Sequence, residues 1–376
     1  MRWPKAAMFL RSFRRAALSP DGGRRPSSGG AVASALRDGF YLPPARPGAF
    51  DRWARALIND PRDVPFVHLA LSASLCVFPV VAWLFYQRRF PWWVGAIYLA
   101  ALFLTVVDRF VLMLHNTSHR PLFRSKYGAL NHYIPWVLGP FLGQAPETYF
   151  THHIGMHHPE NNLEADVSST MGFQRDNPWH FLRYLFRFLF VGIADLGRYL
   201  ESRKRGALRR RLWRGELSFW TLCGLLCLYS WPATLVVFIA PVVIVRVLMM
   251  CGNWGQHALI DPRAPENCYR NSITCIDSRY NRRCFNDGYH IGHHVKASMH
   301  WTDMPGEFVR NRNIYATERA IVFHQIDFFL VWAILMTKQF PALARRYVHL
   351  GDGPRPSDAE IIAMIRERLP PIVRAG

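Results

Sequence analysis

The sequence predicts an all-α integral membrane protein with four transmembrane helices, and three observations support this fold class. Half of the 376 residues are hydrophobic and 19% are charged, below the roughly 25% that is typical of soluble domains. The apolar residues are concentrated in three blocks. Lys and Arg outnumber Asp and Glu by 46 to 26, and most of these cations lie outside the blocks. These features exclude a disordered chain and a small disulfide-stabilised domain.

The first two blocks each have the length of one membrane crossing. Residues 67–86 carry no charge, and residues 92–114 carry only Asp108 and Arg109, near the end of the block. About 20 helical residues cross a hydrocarbon core of ~30 Å. Each block therefore predicts one transmembrane helix.

The third block is a longer apolar stretch, and it predicts a helical hairpin. Residues 217–251 are too many for one crossing. Pro232 lies near the middle of the block, where proline interrupts a helix or occupies a tight turn. We therefore expect two more transmembrane helices, at 215–231 and 233–253.

The basic residues predict how these helices are oriented in the membrane. With four crossings, residues 1–66, 115–214 and 254–376 share one side, which holds 42 of the 46 Lys and Arg residues. The positive-inside rule makes this the cytoplasmic side, with both termini on it. Arg outnumbers Lys by 41 to 5, as in GC-rich genomes, so we expect a bacterial inner-membrane protein. No zinc-finger or RNA-binding pattern predicts a nucleic-acid partner.

Three regions follow from this organisation. Residues 1–64 are predicted to be a basic, largely disordered or interfacial arm, residues 65–340 a membrane domain, and residues 341–376 a cytoplasmic tail. Aromatic residues alternate with arginines in 178–214, which predicts an amphipathic helix at the membrane surface. Residues 320–336 are apolar and are expected to form a cap or interfacial helix.

Nine of the sixteen histidines are grouped where the predicted helices end on the cytoplasmic side or in the segments that follow. Histidines three or four positions apart share a helix face and can approach one metal ion. Neutral imidazole binds transition metals such as iron, zinc and copper. Nine nitrogens are too many for one ion, so we expect two ions with four or five nitrogens each. The candidate ligands are His115, His119, His153, His157, His158, His257, His290, His293 and His294.

The other histidines are expected to lie away from the metals. We place His152 and His300 outside the ligands, and the five isolated histidines in the core or at the surface. If 217–251 crossed the membrane only once, the histidine clusters would lie on opposite sides of it, so the metal and hairpin predictions depend on each other.

Each ligand imidazole also needs an acceptor for its other N–H. The acidic residues near the clusters are Glu147, Glu160, Glu164, Asp166, Asp287, Asp303 and Glu307.

The clusters resemble the three histidine boxes of the membrane fatty acid desaturase and hydroxylase superfamily. Residues 286–294, Asn-Asp-Gly-Tyr-His-Ile-Gly-His-His, and the following His300-Trp301 are similar to the third box and its downstream tail. Asn253 and His257 resemble the Asn and His at the end of the fourth span in acyl-CoA desaturases. The resemblance covers residues 65–305. It implies four spans, a cytoplasmic helical cap and a non-haem di-iron centre, with Asn253 reaching one iron directly or through water.

The resemblance implies O₂-dependent desaturation of a fatty acyl or related lipid chain. The middle box reads His-x-x-x-His-His, whereas acyl-CoA desaturases usually have His-x-x-His-His. The longer spacing is closer to alkane hydroxylases, so hydroxylation of an alkyl chain or other lipid is the alternative. A membrane metal transporter that uses clustered histidines is a more distant alternative. A transporter needs polar or ionisable residues along a path through the membrane, and only Asp108, Arg109 and Arg246 interrupt the apolar blocks.

Breaking an unactivated C–H bond requires cofactor chemistry with O₂ and a supply of electrons. The sequence has neither a dinucleotide-binding glycine motif nor the His-Pro-Gly-Gly motif of a fused cytochrome b5. We therefore expect a separate electron donor, a ferredoxin or a cytochrome b5-like protein with its reductase. A basic cap would attract an acidic donor.

Overall fold

The computed structural model describes residues 36–38 and 41–372, so most of the predicted basic arm lies outside the described residues. The described part of that arm contains the helix Ala49–Leu57 and the 3-10 turn Pro61–Asp63. The chain is mostly helical over the described residues. Within them, three helices are long and apolar enough to cross a membrane: Pro61–Tyr86, Trp92–His119 and Gly206–Gln256.

The first two apolar helices agree closely with the predicted blocks. The side chain of Asp60 accepts a hydrogen bond from the Arg62 N–H and caps the first helix, and Pro61 occupies the first helical position, which needs no N–H. This helix ends at Tyr86, and after a short loop the second helix begins at Trp92. Its parts are Trp92–Leu102, a π-helical turn Phe103–Val107 and Asp108–His119.

The third apolar helix is folded back on itself. Ser230 has non-helical backbone angles (φ −153°, ψ 91°), two positions before Pro232. Nη2 of Arg246 lies 2.7 Å from Oε1 of Glu216, thirty positions earlier, although thirty residues of straight helix would separate them by about 45 Å. The two halves therefore run antiparallel. Their parts are Gly206–Thr234, a π-helical turn Leu235–Ile239 and Ala240–Gln256.

Both tight connections between apolar helices lie at the same end of the molecule. The rings of Trp92 and Trp231 are 5.6 Å apart, which brings the loop after the first helix beside the turn at Ser230. Large aromatic side chains are exposed around this end, as expected at a membrane–water interface. They include Trp83, Tyr86, Trp92, Trp93, Tyr229 and Trp231. The nine clustered histidines lie away from this end.

The predicted interfacial segment 178–214 is divided between two helices. Asn177 caps a helix that spans Pro178–Ser202. The next helix begins at Gly206, after a turn in which Lys204 has a left-handed backbone (φ 56°). The arginine-rich end of the segment 178–214 therefore continues into the first turns of the third apolar helix.

The expectation of an all-α chain is corrected by two short strands. Ile273–Ile276 pairs in parallel with Ile321–His324. The predicted helix over 320–336 is therefore wrong in its first part, where β-branched Ile321 and Val322 suit a buried strand. The helix begins only at Phe328, after Asp327 caps it by accepting a hydrogen bond from Leu330 N–H.

Shorter helices complete the fold around the histidines. The strongly apolar helix Phe328–Met336 packs against the last apolar helix, since a Cβ at Gly255 would lie 2.2 Å from the carbonyl oxygen of Phe328. The remaining helical segments are Ser125–His132, Tyr133–Leu138, Gly139–Phe141, Thr148–His152, His153–His157, His158–Glu160, Cys268–Asn271, Arg279–Arg283, His290–Val295, Met304–Arg310, Arg312–Thr317, Phe340–Ala344 and Asp358–Glu367.

The C-terminal segment is attached to the rest of the fold by buried polar contacts. The guanidinium group of Arg175, which is fully buried, donates hydrogen bonds to the carbonyl oxygens of Arg368 and Pro370 at 2.8 Å. Arg368 is itself buried near Asp261. Much of the predicted tail 341–376 therefore packs against the body of the protein.

Candidate metal centre

The nine histidines with candidate ligand spacing are brought together in two groups. Within each group, one ring nitrogen of every histidine lies within 4.8 Å of the corresponding atoms of the others. The five-histidine group consists of His115, His119, His153, His158 and His293. The four-histidine group consists of His157, His257, His290 and His294.

In the five-histidine group, the Nε2 atoms face one another at short distances. Nε2 of His293 lies 2.9 Å from Nε2 of both His115 and His158. His153 Nε2 is 3.0 Å from that of His119 and 3.1 Å from that of His158. A neutral imidazole nitrogen carries either one proton or one lone pair, so these nitrogens cannot all hydrogen-bond to one another. Such convergence of lone pairs suits a central cation.

The four-histidine group has the same character and is more deeply buried. Nε2 of His290 lies 3.2 Å from Nε2 of His257 and 3.0 Å from that of His294. His157 joins them, with its ring centroid 5.3 Å from that of His257 and 5.2 Å from that of His294. The last apolar helix ends beside this group, because His257 directly follows Gln256.

The middle cluster divides its histidines between the two groups because its backbone is a π-helix. Residues His153–His157 form this π-helical turn, in which the hydrogen bonds join positions five apart. His153 and His158, five positions apart, therefore lie together in the five-histidine group. His157 belongs to the other group, although the i,i+4 spacing of an α-helix would place it on the same face as His153. The extra residue in His-x-x-x-His-His is accommodated in this way.

Three of the rings have an acceptor beside Nδ1, on the side opposite the convergence, and two of these rings form a hydrogen bond to it. Nδ1 of His157 is 2.7 Å from Oδ2 of Asp166, and Nδ1 of His115 is 3.4 Å from Oδ1 of Asp287. Nδ1 of His257 lies 3.1 Å from both the backbone and side-chain oxygens of Asn271. The hydrogen bonds of His157 and His257 select the tautomer in which the lone pair is on Nε2 and faces the group.

Only two of the seven acidic residues near the clusters contact a histidine of the groups. Asp166 was named with the others from the sequence, but no local pattern distinguished it or Asp287. Asn271, fourteen positions after His257, carried no signal at all. The other acidic side chains bind elsewhere or are exposed: Glu147 contacts Arg211, Glu160 contacts Arg203, Asp303 contacts Arg62, Glu307 contacts Asn311, and Glu164 is exposed.

Burial keeps several of these imidazoles in their neutral form. It lowers the pKa of His158 to about 2 and that of His257 to about 4, and the neighbouring histidines add to both shifts. Burial also holds the pKa of His153, His290 and His294 well below the ordinary value. Near pH 7 these rings therefore carry a free lone pair, the form in which histidine binds a metal.

Asn253, the tenth predicted site residue, is held by two hydrogen bonds. Its Nδ2 donates to the carbonyl oxygen of Ser168 at 2.9 Å and to Oη of Tyr184 at 2.8 Å. Both amide protons are thereby used in packing the last apolar helix against neighbouring segments. A contact between Asn253 and a metal would involve Oδ1, and that role remains a prediction.

The remaining histidines lie outside both groups. His152 stacks beside His157 at a ring distance of 6.2 Å, and its buried Nε2 has no hydrogen-bond partner. His300 contacts Asp63 and Thr302 instead. The groups also contain none of the five isolated histidines: His68, His132, His180, His324 and His349.

Comparison with protein families gives a match that includes both groups. The family model described as fatty acid desaturase matches residues 90–326, which contain all nine histidines and Asn253. Comparison with curated proteins and with solved structures gives no match. The family match covers more than half of the chain. The chain therefore belongs to the fatty acid desaturase family of membrane oxidoreductases.

Proposed function

We propose that each histidine group binds one iron ion and that the di-iron centre catalyses O₂-dependent desaturation of a fatty acyl or related lipid chain. The observation that carries this proposal is the convergence of nine imidazole nitrogens in two adjacent groups. Iron with O₂ supplies the oxidising chemistry that no protein side chain can provide. We assign Asn253 to the four-histidine group, since it lies one helical turn before His257.

The residues of the chain hold the metals, orient the ligands and exclude water. Neutral imidazoles and the neutral amide of Asn253 add no negative charge, so each site would stay cationic with iron bound. Asp166 and Asn271 keep the lone pairs of His157 and His257 directed at the four-histidine group. His157, His257 and His290 of that group are buried, which keeps bulk water away.

Hydroxylation of an alkyl chain is the second candidate, and the spacing of the middle cluster favours it. The π-helical turn weakens this argument, because it accommodates the longer spacing while still supplying ligands to both groups. Transport of metal ions is supported least. Of the three charges that interrupt the apolar blocks, Arg246 is paired with Glu216 and Asp108 with Arg283, and Arg109 donates to the carbonyl oxygen of Thr105 on its own helix. These charges therefore do not form a continuous polar path.

Four membrane crossings with a cytoplasmic cap are part of the same proposal. The antiparallel halves of Gly206–Gln256 support two crossings in that segment. The aromatic end near Trp92 and Trp231 would face the periplasm, and the histidines would lie at the cytoplasmic surface. Electrons would come from a separate ferredoxin or cytochrome b5-like donor, to which exposed arginines offer a complementary charge.

Product analysis tests the reaction directly. The protein would be expressed with a lipid pool, and the products analysed by mass spectrometry. We expect loss of two hydrogens from a lipid chain and about two irons per chain; gain of one oxygen would select the hydroxylation alternative. His153→Ala should abolish turnover, whereas the control His349→Ala, whose Nε2 lies 3.0 Å from the carbonyl oxygen of the exposed Gly353, should keep it. Stoichiometric zinc with no O₂-dependent product after iron reconstitution would refute the proposal.

A further inference from the structure

A buried carboxylate stands where the first apolar helix begins, outside both histidine groups. The side chain of Asp63 is 7% exposed. Its Oδ1 accepts hydrogen bonds from Nε2 of His300 and Nε1 of Trp301, each at 3.0 Å. Its Oδ2 accepts one from Nη2 of Arg120 at 3.3 Å. Three donors from two distant segments therefore converge on one carboxylate.

His300 has no nitrogen left for a metal in this arrangement. Nδ1 accepts hydrogen bonds from the hydroxyl group of Thr302 at 2.8 Å and from its backbone N–H at 3.2 Å. Nε2 must then carry the proton and donate it to Asp63. This explains why a histidine so close to the third cluster in the sequence is absent from both groups.

The segments joined by Asp63 lie next to His115, His119 and His293, three of the five histidines of the five-histidine group. Arg120 directly follows His119, at the end of the second apolar helix. The segment with His300 and Trp301 follows the helix that carries His293. The carbonyl oxygen of Trp301 also accepts a hydrogen bond from Asn286, the residue before the aspartate that contacts His115.

We propose that Asp63 and His300 form a positioning clamp that sets the separation between the second apolar helix and the third histidine cluster. The second apolar helix supplies His115 and His119 to the five-histidine group and no ligand to the other group. The third cluster supplies both groups, whereas the second apolar helix supplies only the five-histidine group, so loss of the clamp should weaken the five-histidine site much more than the other. This inference rests on the proposed function, because it requires that both groups bind metal.

The clearest perturbation is His300→Phe, which keeps a ring of similar size and removes both nitrogens. Loss of a residue that orients metal ligands typically lowers metal affinity 10–100-fold. We expect a reduction of about that size at one site, so that the number of tightly bound ions falls from about two to about one per chain. His300→Gln retains an N–H donor near the position of Nε2, so it should restore much of the affinity.

The same chain offers a matched control. Nε2 of His68 lies 2.9 Å from Oδ1 of Asp51, so this is another histidine–aspartate contact near the start of the first apolar helix. It joins no segment that carries a ligand. His68→Phe should therefore bind two ions as the unaltered protein does. Arg120→Gln, at a partly exposed position, provides a second test of the clamp if His300→Phe does not accumulate.

The experiment uses the full chain in detergent, freed of metal with a chelator and titrated with Co²⁺. Visible absorption and equilibrium dialysis report the coordination and the number of ions bound, independently of turnover. A merely structural role would lower the thermal stability of the metal-free protein and weaken both sites alike. Equal weakening of both sites in His300→Phe would therefore overturn the clamp. Two tight sites with an unchanged spectrum in this variant would also overturn it. If the unaltered protein bound no Co²⁺ at all, the proposed function would fail, and the clamp with it.

Discussion

Replacement of Asp166 by Asn tests how the four-histidine group is held. Oδ2 of Asp166 lies 2.7 Å from Nδ1 of His157, and it also accepts the backbone N–H of Asn162 at 3.2 Å. Oδ1 accepts the N–H and hydroxyl groups of Ser168 at 2.8 and 2.7 Å. Both oxygens of the buried carboxylate are therefore acceptors only. An asparagine would place an NH₂ group against one of these two sets of donors.

The size of the effect follows from where that NH₂ group points. If it faces Ser168, a buried backbone N–H loses its acceptor, which costs about 1–3 kcal/mol of folding stability. If it faces His157, the ring must accept through Nδ1 and carry its proton on Nε2, which prevents Nε2 from binding a metal. Loss of such an orienting contact typically lowers metal affinity 10–100-fold, equivalent to about 1.4–2.8 kcal/mol.

Metal titration and thermal unfolding measure these two effects separately. Asp166→Asn should retain one tight Co²⁺ site, in the five-histidine group, and bind the second ion weakly. Asp195→Asn is the control, since Asp195 pairs with Arg187 and Arg198 on an exposed part of its helix. If Asp166→Asn bound two ions with unchanged affinity and also unfolded at an unchanged temperature, the inferred role of the Asp166 contacts would be wrong.

Three further predictions concern other parts of the centre and the hairpin. Asn253→Ala should leave iron bound but slow oxygen activation, and Asn253→Asp should change the reactivity of bound iron; full activity of both iron-loaded variants would remove Asn253 from the site. Arg246→Ala should destabilise the protein by about 3–5 kcal/mol in denaturant unfolding, because it leaves the buried Glu216 without its cation; an unchanged midpoint would contradict this. Chelation should lower the melting temperature, since metal at 100 times its Kd stabilises the folded state by about 2.7 kcal/mol per site; identical melting curves with and without chelator would refute binding.

The positions of the apolar helices could be predicted from the sequence because hydropathy is a local property. The first two blocks agree with helices of the structure within a few residues at their starts, and Pro232 marked the region in which the third helix folds back. The strand at Ile321–His324 was missed. Four residues, three of them apolar, just before an apolar helix are too short a run to separate from it by pattern, and the strand is defined by its pairing with Ile273–Ile276, about fifty positions earlier.

The candidate ligands were likewise predictable, because histidine clusters at helix ends are visible without any knowledge of the fold. Their division between two groups was not. The i,i+4 rule placed His153 with His157, whereas the π-helical turn places it with His158. Such a turn depends on the backbone hydrogen bonds of the folded chain, which no residue type in the segment specifies.

The sequence by itself determined the class of protein, the apolar helices and the nine clustered histidines, since each depends on composition or on spacing of a few residues. Only the tertiary structure decided which histidines share a group and which residues orient them. Asp63 and His300 are 237 positions apart, and Asn271 contacts His257 from a different segment. Contacts of this kind form when separate segments pack together, so no local pattern in the chain records them.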